Sequence, residues 1–191
     1  KVTLKQLSAN SGKGGFNANG TINLDGLYPT TLDIQAKANQ FKLANTDEYN
    51  LVIDLDSRLS GPITTPKATG RFAVKNGFIV LEEFGDKTVE DVTLEGEEEV
   101  INISYYDSLA IEMEFAIERN FYVRGGGYLD MEIEIAGELD AQKKTNGELS
   151  LFGSLRGTSG YVRPLGKRFE LEEAEVVFSG PPESPDLNIK S

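Results

Sequence analysis

The sequence predicts an all-β protein, and two observations carry the prediction. Apolar residues alternate with polar ones at a period of two in many separate runs, which is typical of strands with one buried face. Apolar spacing at three and four residues, which marks an amphipathic helix, is nearly absent over more than two turns. We therefore expect a sheet with very little helix.

The alternating runs give the strands and the residues of their shared apolar face. Each run pairs large apolar side chains with charged or polar neighbours, as in a strand that is wet on one side. The residues of the apolar parity are Leu51, Ile53 and Leu55; Phe72 and Val74; Ile111, Met113, Phe115 and Ile117; Leu129, Met131, Ile133 and Ile135; and Leu149, Leu151 and Leu155.

Glycine, asparagine and proline break these runs and predict turns. The breaks fall at Asn19-Gly20, Gly61-Pro62, Asn76-Gly77, Gly125-Gly126-Gly127, Asn146-Gly147 and Gly180-Pro181-Pro182. Strands joined by short turns are expected to pair in chain order as an antiparallel meander.

The last long run changes its parity, since Phe169 and Leu171 alternate in one phase and Ala174, Val176 and Phe178 in the other. One extra residue near Glu172-Glu173, forming a β-bulge, would return both sets to one face.

The amino-acid composition argues against several classes of function. The 191 residues carry a net charge of −12, which argues against nucleic acid as a partner. The chain has no His and no Cys, so it lacks the commonest general base, the commonest metal ligand and any thiolate site. The absence of Cys is also compatible with an oxidising compartment. We expect a protein that is not an enzyme and that needs neither cofactor nor metal.

Two charged segments have sharper interpretations that compete with plainer ones. The acidic residues 95–99 lack the spacing of a calcium loop, so a solvated loop after a strand near 89–94 is favoured. The basic residues Arg163, Lys167 and Arg168 could meet an acidic partner or lipid headgroups, but a solubilising strand end is the favoured interpretation.

The summed apolar face is large, and the sequence holds no amphipathic helix to cover it. Three arrangements would cover this apolar face: two sheets packed together with a dry core, a sheet closed on itself, or a curled sheet whose apolar interior holds something else. Composition does not choose among the three.

Several segments in order resemble the C-terminal region of the TamB family. The clearest is "GYVRPLGKRFELEEAEVVFSGPPESPDLNIKS", followed by "NFYVRGGGYLDMEIEIAGEL" and "DLDSRLSGPITTPKATGRFAVKNGFIVLEE". The positions of the first segment that match the family pattern are Gly160, Gly166, Arg168, Phe169, Phe178, Gly180, Pro185, Leu187 and Ile189; those of the second are Tyr122, Val123, Arg124, Gly125, Gly127 and Gly137. The sequence departs from the pattern at Ala174, where glycine is common, and at Lys190-Ser191.

The resemblance implies one long, curved antiparallel sheet, taco-like in section, with an apolar trough along its length. Residues 1–191 would then form one continuous β-trough segment of a larger elongated protein, with the apolar parity listed above lining the groove. The family resembles bridge-like lipid transfer proteins, so the implied ligand is phospholipid or another acyl molecule.

The resemblance also implies a location and partners. The whole protein would lie in the periplasm of a Gram-negative-type cell, held in the inner membrane by an N-terminal anchor absent from these residues. It would reach an outer-membrane BamA-type barrel protein, TamA-like, and conduct phospholipid between the two membranes while supporting outer-membrane protein assembly. The alternative is a chaperone-like scaffold that pairs with nascent outer-membrane strands by β-augmentation, without lipid transport.

Overall fold

The computed structural model describes residues 1–81, 105–125, 130–171 and 173–190, and they are almost entirely strand. The strands are β1 Val2–Ser11, β2 Gly14–Asp25, β3 Tyr28–Asn45, β4 Tyr49–Pro62, β5 Lys67–Leu81, β6 Ala110–Ile117, β7 Phe121–Gly125, β8 Asp130–Lys143, β9 Ser150–Arg163, β10 Phe169–Glu170, β11 Glu173–Gly180 and β12 Asp186–Lys190. One short helix, α1 (Tyr105–Ser108), precedes β6, and a 3-10 turn (Pro164–Gly166) follows β9. The predicted all-β class is confirmed.

All of these strands belong to one sheet, in the order β1-β2-β3-β4-β5-β6-β8-β9-β11-β12. β7 continues the line of β6 between β5 and β8, and β10 continues the line of β11 beside β9. Among the described residues no pairing joins β1 to β12, so both are edges. The described strands therefore do not form the two stacked sheets of a dry-core arrangement.

The sheet is not wholly antiparallel, which corrects the prediction of a simple meander. β6 and β7 both run parallel to β5, with Ala110 beside Lys67 and Gly125 beside Leu81. A parallel neighbour needs a long connection, and the chain between Leu81 and Ala110 supplies one. The predicted strand near 89–94 and the acidic residues 95–99 lie in that connection, outside the described residues.

A short irregular segment separates β6 from β7 and keeps both against the same two neighbours. Asn120 has a left-handed backbone conformation with φ of 68°. Its carbonyl accepts a hydrogen bond from the Gly77 N–H at 3.0 Å, and its own N–H donates to Glu134 Oε1 at 2.8 Å. The interruption is therefore tied to β5 on one side and to β8 on the other.

Two of the predicted turns are wrong. Asn19-Gly20 lies within β2 and Asn76-Gly77 lies within β5, so neither ends a strand. Gly77 has φ of +145°, and a Cβ there would lie 1.9 Å from the backbone oxygen of Asn50 on β4. The glycine permits a close approach of two strands next to a bulge in β5, because a side chain would collide with the neighbouring backbone.

The parity change in the last run is matched by a bulge in the neighbouring strand. Phe169 pairs with Val162, and Ala174 pairs with Gly157, in one unbroken register with β9. β9 itself carries an extra residue opposite Glu134 and Ile135 of β8. Phe169 and Leu171 therefore share a face with Ala174, Val176 and Phe178. The bulge is predicted near Glu172-Glu173, whereas the bulge that the structure describes lies in β9. Glu172 is outside the described residues.

Candidate functional site: the apolar face of the sheet

The register places the predicted apolar residues on one face of the sheet. Strand by strand, side chains of the same parity sit beside each other and form rows that run across the strands. One row is Phe41, Ile53, Val74, Ile117, Gly137, Leu155, Val176 and Leu187; the next is Ala38, Leu55, Phe72, Phe115, Leu139, Gly153 and Phe178.

The other predicted residues extend this apolar face, with two exceptions. Ile111, Met113 and Leu151 share its parity toward one end of the strands, and Leu51, Met131, Ile133 and Ile135 toward the other end. Leu149 precedes β9 and belongs to no strand, because β9 begins at Ser150. Leu129 lies outside the described residues.

Most of the apolar face remains partly open to solvent. Within the described residues no side chain is completely buried, and the best-covered large one is Ile53, which is 3% exposed. Phe115, in the middle of the sheet, is 37% exposed although its ring lies 5.9 Å from that of Phe72. A single layer cannot seal its own apolar side, so the described residues leave this surface partly exposed.

Several members of the face were missed by sequence reasoning. Phe16 and Phe41 sit side by side on β2 and β3 with ring centroids 6.0 Å apart. Their strands carry little clear alternation, and a register shift in β3 between Ala38 and Phe41 hides the period. Ile79, which is paired with Val123, was also missed because the bulge in β5 changes the parity after Val74.

The opposite face is charged and held by ion pairs between neighbouring strands. Arg71 on β5 pairs with Glu114 on β6 and, at 3.1 Å, with Glu138 on β8. The other pairs between different strands are Lys37 with Asp56, Arg58 with Asp33, Lys67 with Glu112, Lys75 with Asp54, Arg124 with Glu132, Arg156 with Glu175, and Arg163 with Asp130. Lys75 also pairs with Glu118, the residue after β6. Exposed pairs add little stability, but they favour this register over its alternatives.

These partners shift the protonation of several carboxyls. The hydrogen bond from Arg58 holds the pKa of Asp33 below its ordinary value, and Lys37 does the same for Asp56. The pKa of Glu134 is also lowered, chiefly by the Asn120 N–H and in addition by the Ser159 hydroxyl, which donates at 3.1 Å. Every one of these carboxyls is kept ionised, which is the opposite of what a general acid requires.

A depression of about 420 Å³ lies on the charged face, over the small side chain of Ala73. Lys37, Asp54, Asp56 and Arg71 surround it. Its lining is mixed, because atoms of Ala38, Leu55 and Ala73 also contribute to it. In the described ranges no group of three or more His, Cys, Asp or Glu side chains could hold a metal ion.

One cation lies on the apolar face, at the end of β8. Lys143 is 4% exposed, and its ammonium donates to the backbone oxygens of Asp107 and Leu109, each at 2.9 Å. The ring of Tyr106 lies 4.8 Å from the ammonium nitrogen. Because the carbonyl oxygens replace the lost water, Lys143 fastens α1 and the start of β6 to the rim of the apolar face.

In the part of the chain that the structure describes, the fold and this face define a class: a single sheet, apolar on one side and charged on the other, with few fully buried side chains. The chain belongs to the TamB family, since the family described as TamB C-terminal domain matches residues 5–191. That family is part of the translocation and assembly module of the Gram-negative cell envelope. No curated protein matches the chain. Among the described residues no helix is long and apolar enough to cross a bilayer.

Proposed function

We propose that the apolar face is the floor of a groove that binds acyl chains and conducts phospholipid between the inner and outer membranes. The observation that carries the proposal is the continuity of the apolar rows from β3 to β12 on a face that the described residues leave open. Eight strands at about 4.8 Å spacing give a path of about 34 Å across the strands.

Burial of each methylene group contributes about 0.8 kcal/mol, so such a surface retains lipid without any specific catalytic group. Rows of similar side chains also present nearly equivalent positions along the path. A bound chain can therefore move from row position to row position without crossing a charged barrier. We propose on this basis that the protein is not an enzyme.

Family membership supports the wider setting of the proposal. Residues 1–191 would be one trough-shaped segment of a larger periplasmic protein that is anchored in the inner membrane outside this segment. Its outer-membrane partner would be a TamA-like barrel protein, and lipid delivery would support outer-membrane protein assembly.

Photo-crosslinking on the two faces tests the groove. A benzoylphenylalanine at Met113 lies on the apolar face, whereas the same probe at Glu114, the next residue, lies among the ion pairs of the charged face. Met131 is a second probe position on the apolar face. We expect lipid adducts at Met113 and Met131 and none above background at Glu114. Equal capture on both faces would refute the groove.

The alternative is a scaffold that pairs with nascent outer-membrane strands, and the open edges favour it. β1 and β12 each offer an unpaired side, and Leu187 on β12 is 61% exposed. The N–H groups of Leu187 and Asn188 point to opposite sides of β12, so one of two single proline variants removes a donor from the open side and the other removes one from the pairing with β11. Loss of client binding with unchanged lipid capture would support augmentation, whereas unchanged client binding would count against it.

A further inference from the structure

Three cations surround the turn between β9 and β10. Arg163 ends β9, the 3-10 turn Pro164–Gly166 follows, and Lys167 and Arg168 lead into β10. This positive cluster is set in a chain whose net charge is −12. Lys167 is exposed, and its ammonium makes no ion pair within the described part of the chain.

A tyrosine holds the two guanidinium groups of this cluster in place. Cζ of Arg168 lies 4.1 Å from the centroid of the Tyr161 ring, and Cζ of Arg163 lies 5.4 Å from it. The Tyr161 hydroxyl in turn donates to Asp130 Oδ1 at 3.2 Å. Stacking on one ring restricts both side chains, so less entropy is lost when they bind a further group.

Each guanidinium keeps hydrogen-bond donors after its own ion pair is made. Arg163 uses Nη1 toward Asp130, and Arg168 uses Nε toward Glu170, each at 2.6 Å. A guanidinium carries five N–H donors. The side chains are 38% and 48% exposed, so their remaining donors can reach an anion.

The cluster lies where the strands end, at the border between the two faces. Tyr161, which carries Arg163 and Arg168, is paired with Glu132 on the charged side, whereas Phe169 lies on the apolar side. Phe169 pairs with Val162, which pairs with Met131 on β8, so these three side chains extend the apolar face to the end of the strands. Phe169 is 54% exposed. An acyl chain lying over these residues would bring the polar end of its molecule to the turn.

We propose that Arg163, Lys167 and Arg168 form a binding site for the phosphate of a lipid headgroup whose acyl chains lie on the apolar face. The site rests on the proposed function and deepens it by assigning the residues that hold the phosphate of the headgroup. Guanidinium and ammonium groups are the side chains that bind phosphate by charge-assisted hydrogen bonds.

The test compares two fluorescent lipids with the same acyl chains, phosphatidylglycerol and diacylglycerol, of which only the first carries phosphate. Each is titrated into the parent protein and into the double variant Lys167→Gln/Arg168→Gln. The matched control is Lys5→Gln/Lys13→Gln, which makes the same change in net charge at the opposite edge of the sheet, on β1 and its turn. Inorganic phosphate serves as a competitor.

We expect the double variant to bind phosphatidylglycerol about 10-fold more weakly, from the loss of two charge-assisted contacts, and to bind diacylglycerol unchanged. The control variant should match the parent for both lipids. Unchanged phosphatidylglycerol binding by the double variant, or equal loss of both lipids, would overturn the headgroup site while leaving the groove intact.

The remaining outcomes distinguish a lipid phosphate from free phosphate, and failure of the headgroup site from failure of the groove. Full displacement by millimolar inorganic phosphate would show a site for the free anion and overturn the assignment to a lipid. A parent protein that binds neither lipid would overturn the groove itself. Binding of an acidic peptide at the turn that excludes neither lipid would show a protein-docking surface instead.

Discussion

Phe72 and Phe115 lie side by side on the parallel strands β5 and β6, with ring centroids 5.9 Å apart, on a face over which the described residues place no second layer. In a two-layered domain a pair in the middle of the sheet would be buried. Here Phe115 retains more than a third of its exposure, whereas Ile53, two strands away, is 3% exposed. Among the described residues, the side chains of this face are therefore covered mainly by their neighbours within the sheet.

Truncating Ile53 and Phe115 to alanine, one at a time, should distinguish an open face from a closed core. Ile53→Ala should lower the free energy of unfolding by about 2–5 kcal/mol, as in a buried site, and Phe115→Ala by only about 1–2 kcal/mol. Urea denaturation followed by circular dichroism measures both. A larger loss for Phe115→Ala than for Ile53→Ala would show that the face is covered.

The glycine inside β5 should not tolerate a side chain. Gly77→Ala would place a methyl group against the Asn50 backbone oxygen and demand a φ that alanine rarely adopts, at a cost of about 1–3 kcal/mol. Gly180→Ala on β11 is the matched control, because nothing lies within 4 Å of its Cβ position. The midpoint temperature of thermal unfolding should fall for Gly77→Ala and stay unchanged for Gly180→Ala. An equal midpoint for the two variants would refute the close approach of β4 and β5 at Gly77.

The buried lysine should control the local stability of α1. Lys143→Met removes the ammonium donor from the carbonyls of Asp107 and Leu109, and the Asp107 carbonyl then keeps the Asn146 N–H. With two hydrogen bonds lost, this corner should open more often. We expect hydrogen exchange at Ala110 and Asn146 to speed up by about 10-fold, equivalent to about 1.4 kcal/mol, while β4 is unaffected. Lys144→Met, one residue away and exposed, should leave exchange at both amides unchanged.

Acid should weaken the junction between β6 and β7 through Glu134. Its folded pKa is below the ordinary value of 4.5, so the unfolded chain binds more protons in acid and stability falls as pH drops through the folded pKa. Glu134→Gln keeps an acceptor for the Asn120 N–H but cannot titrate. Its loss of unfolding free energy between pH 7 and pH 3 should be smaller than that of the parent, as urea titrations at the two values would show. An equal loss would exclude Glu134 as a contributor.

The apolar face could largely be predicted from the sequence because strand parity is a local property. Alternation through Ile111–Ile117 and Met131–Ile135 fixes which side chains share a side, whatever the neighbouring strand. Phe16 and Phe41 escaped because irregular backbone in and beside β3 interrupts the period of two.

The strand topology and the buried Lys143 at the end of β8 could not be predicted in the same way. Asn76-Gly77 has the chemistry of a turn, but a glycine also serves where two strands approach closely, and only the neighbouring Asn50 decides between them. The parallel position of β6 depends on pairing between distant residues, about which local patterns carry no information. Lys143 is a charged residue at a strand position that faces the apolar side. Its burial could not be predicted, because its carbonyl partners, Asp107 and Leu109, come from a distant segment.

The most direct test of the groove is native mass spectrometry of the protein purified without detergent from cells, compared with Ile133→Asp. Ile133 lies on the apolar face between Val123 and Gly160. We predict phospholipid adducts on the parent and a folded variant without them, because a charge on an open face repels acyl chains but remains hydrated. A parent free of lipid, or a variant that retains as much lipid as the parent, would contradict the account.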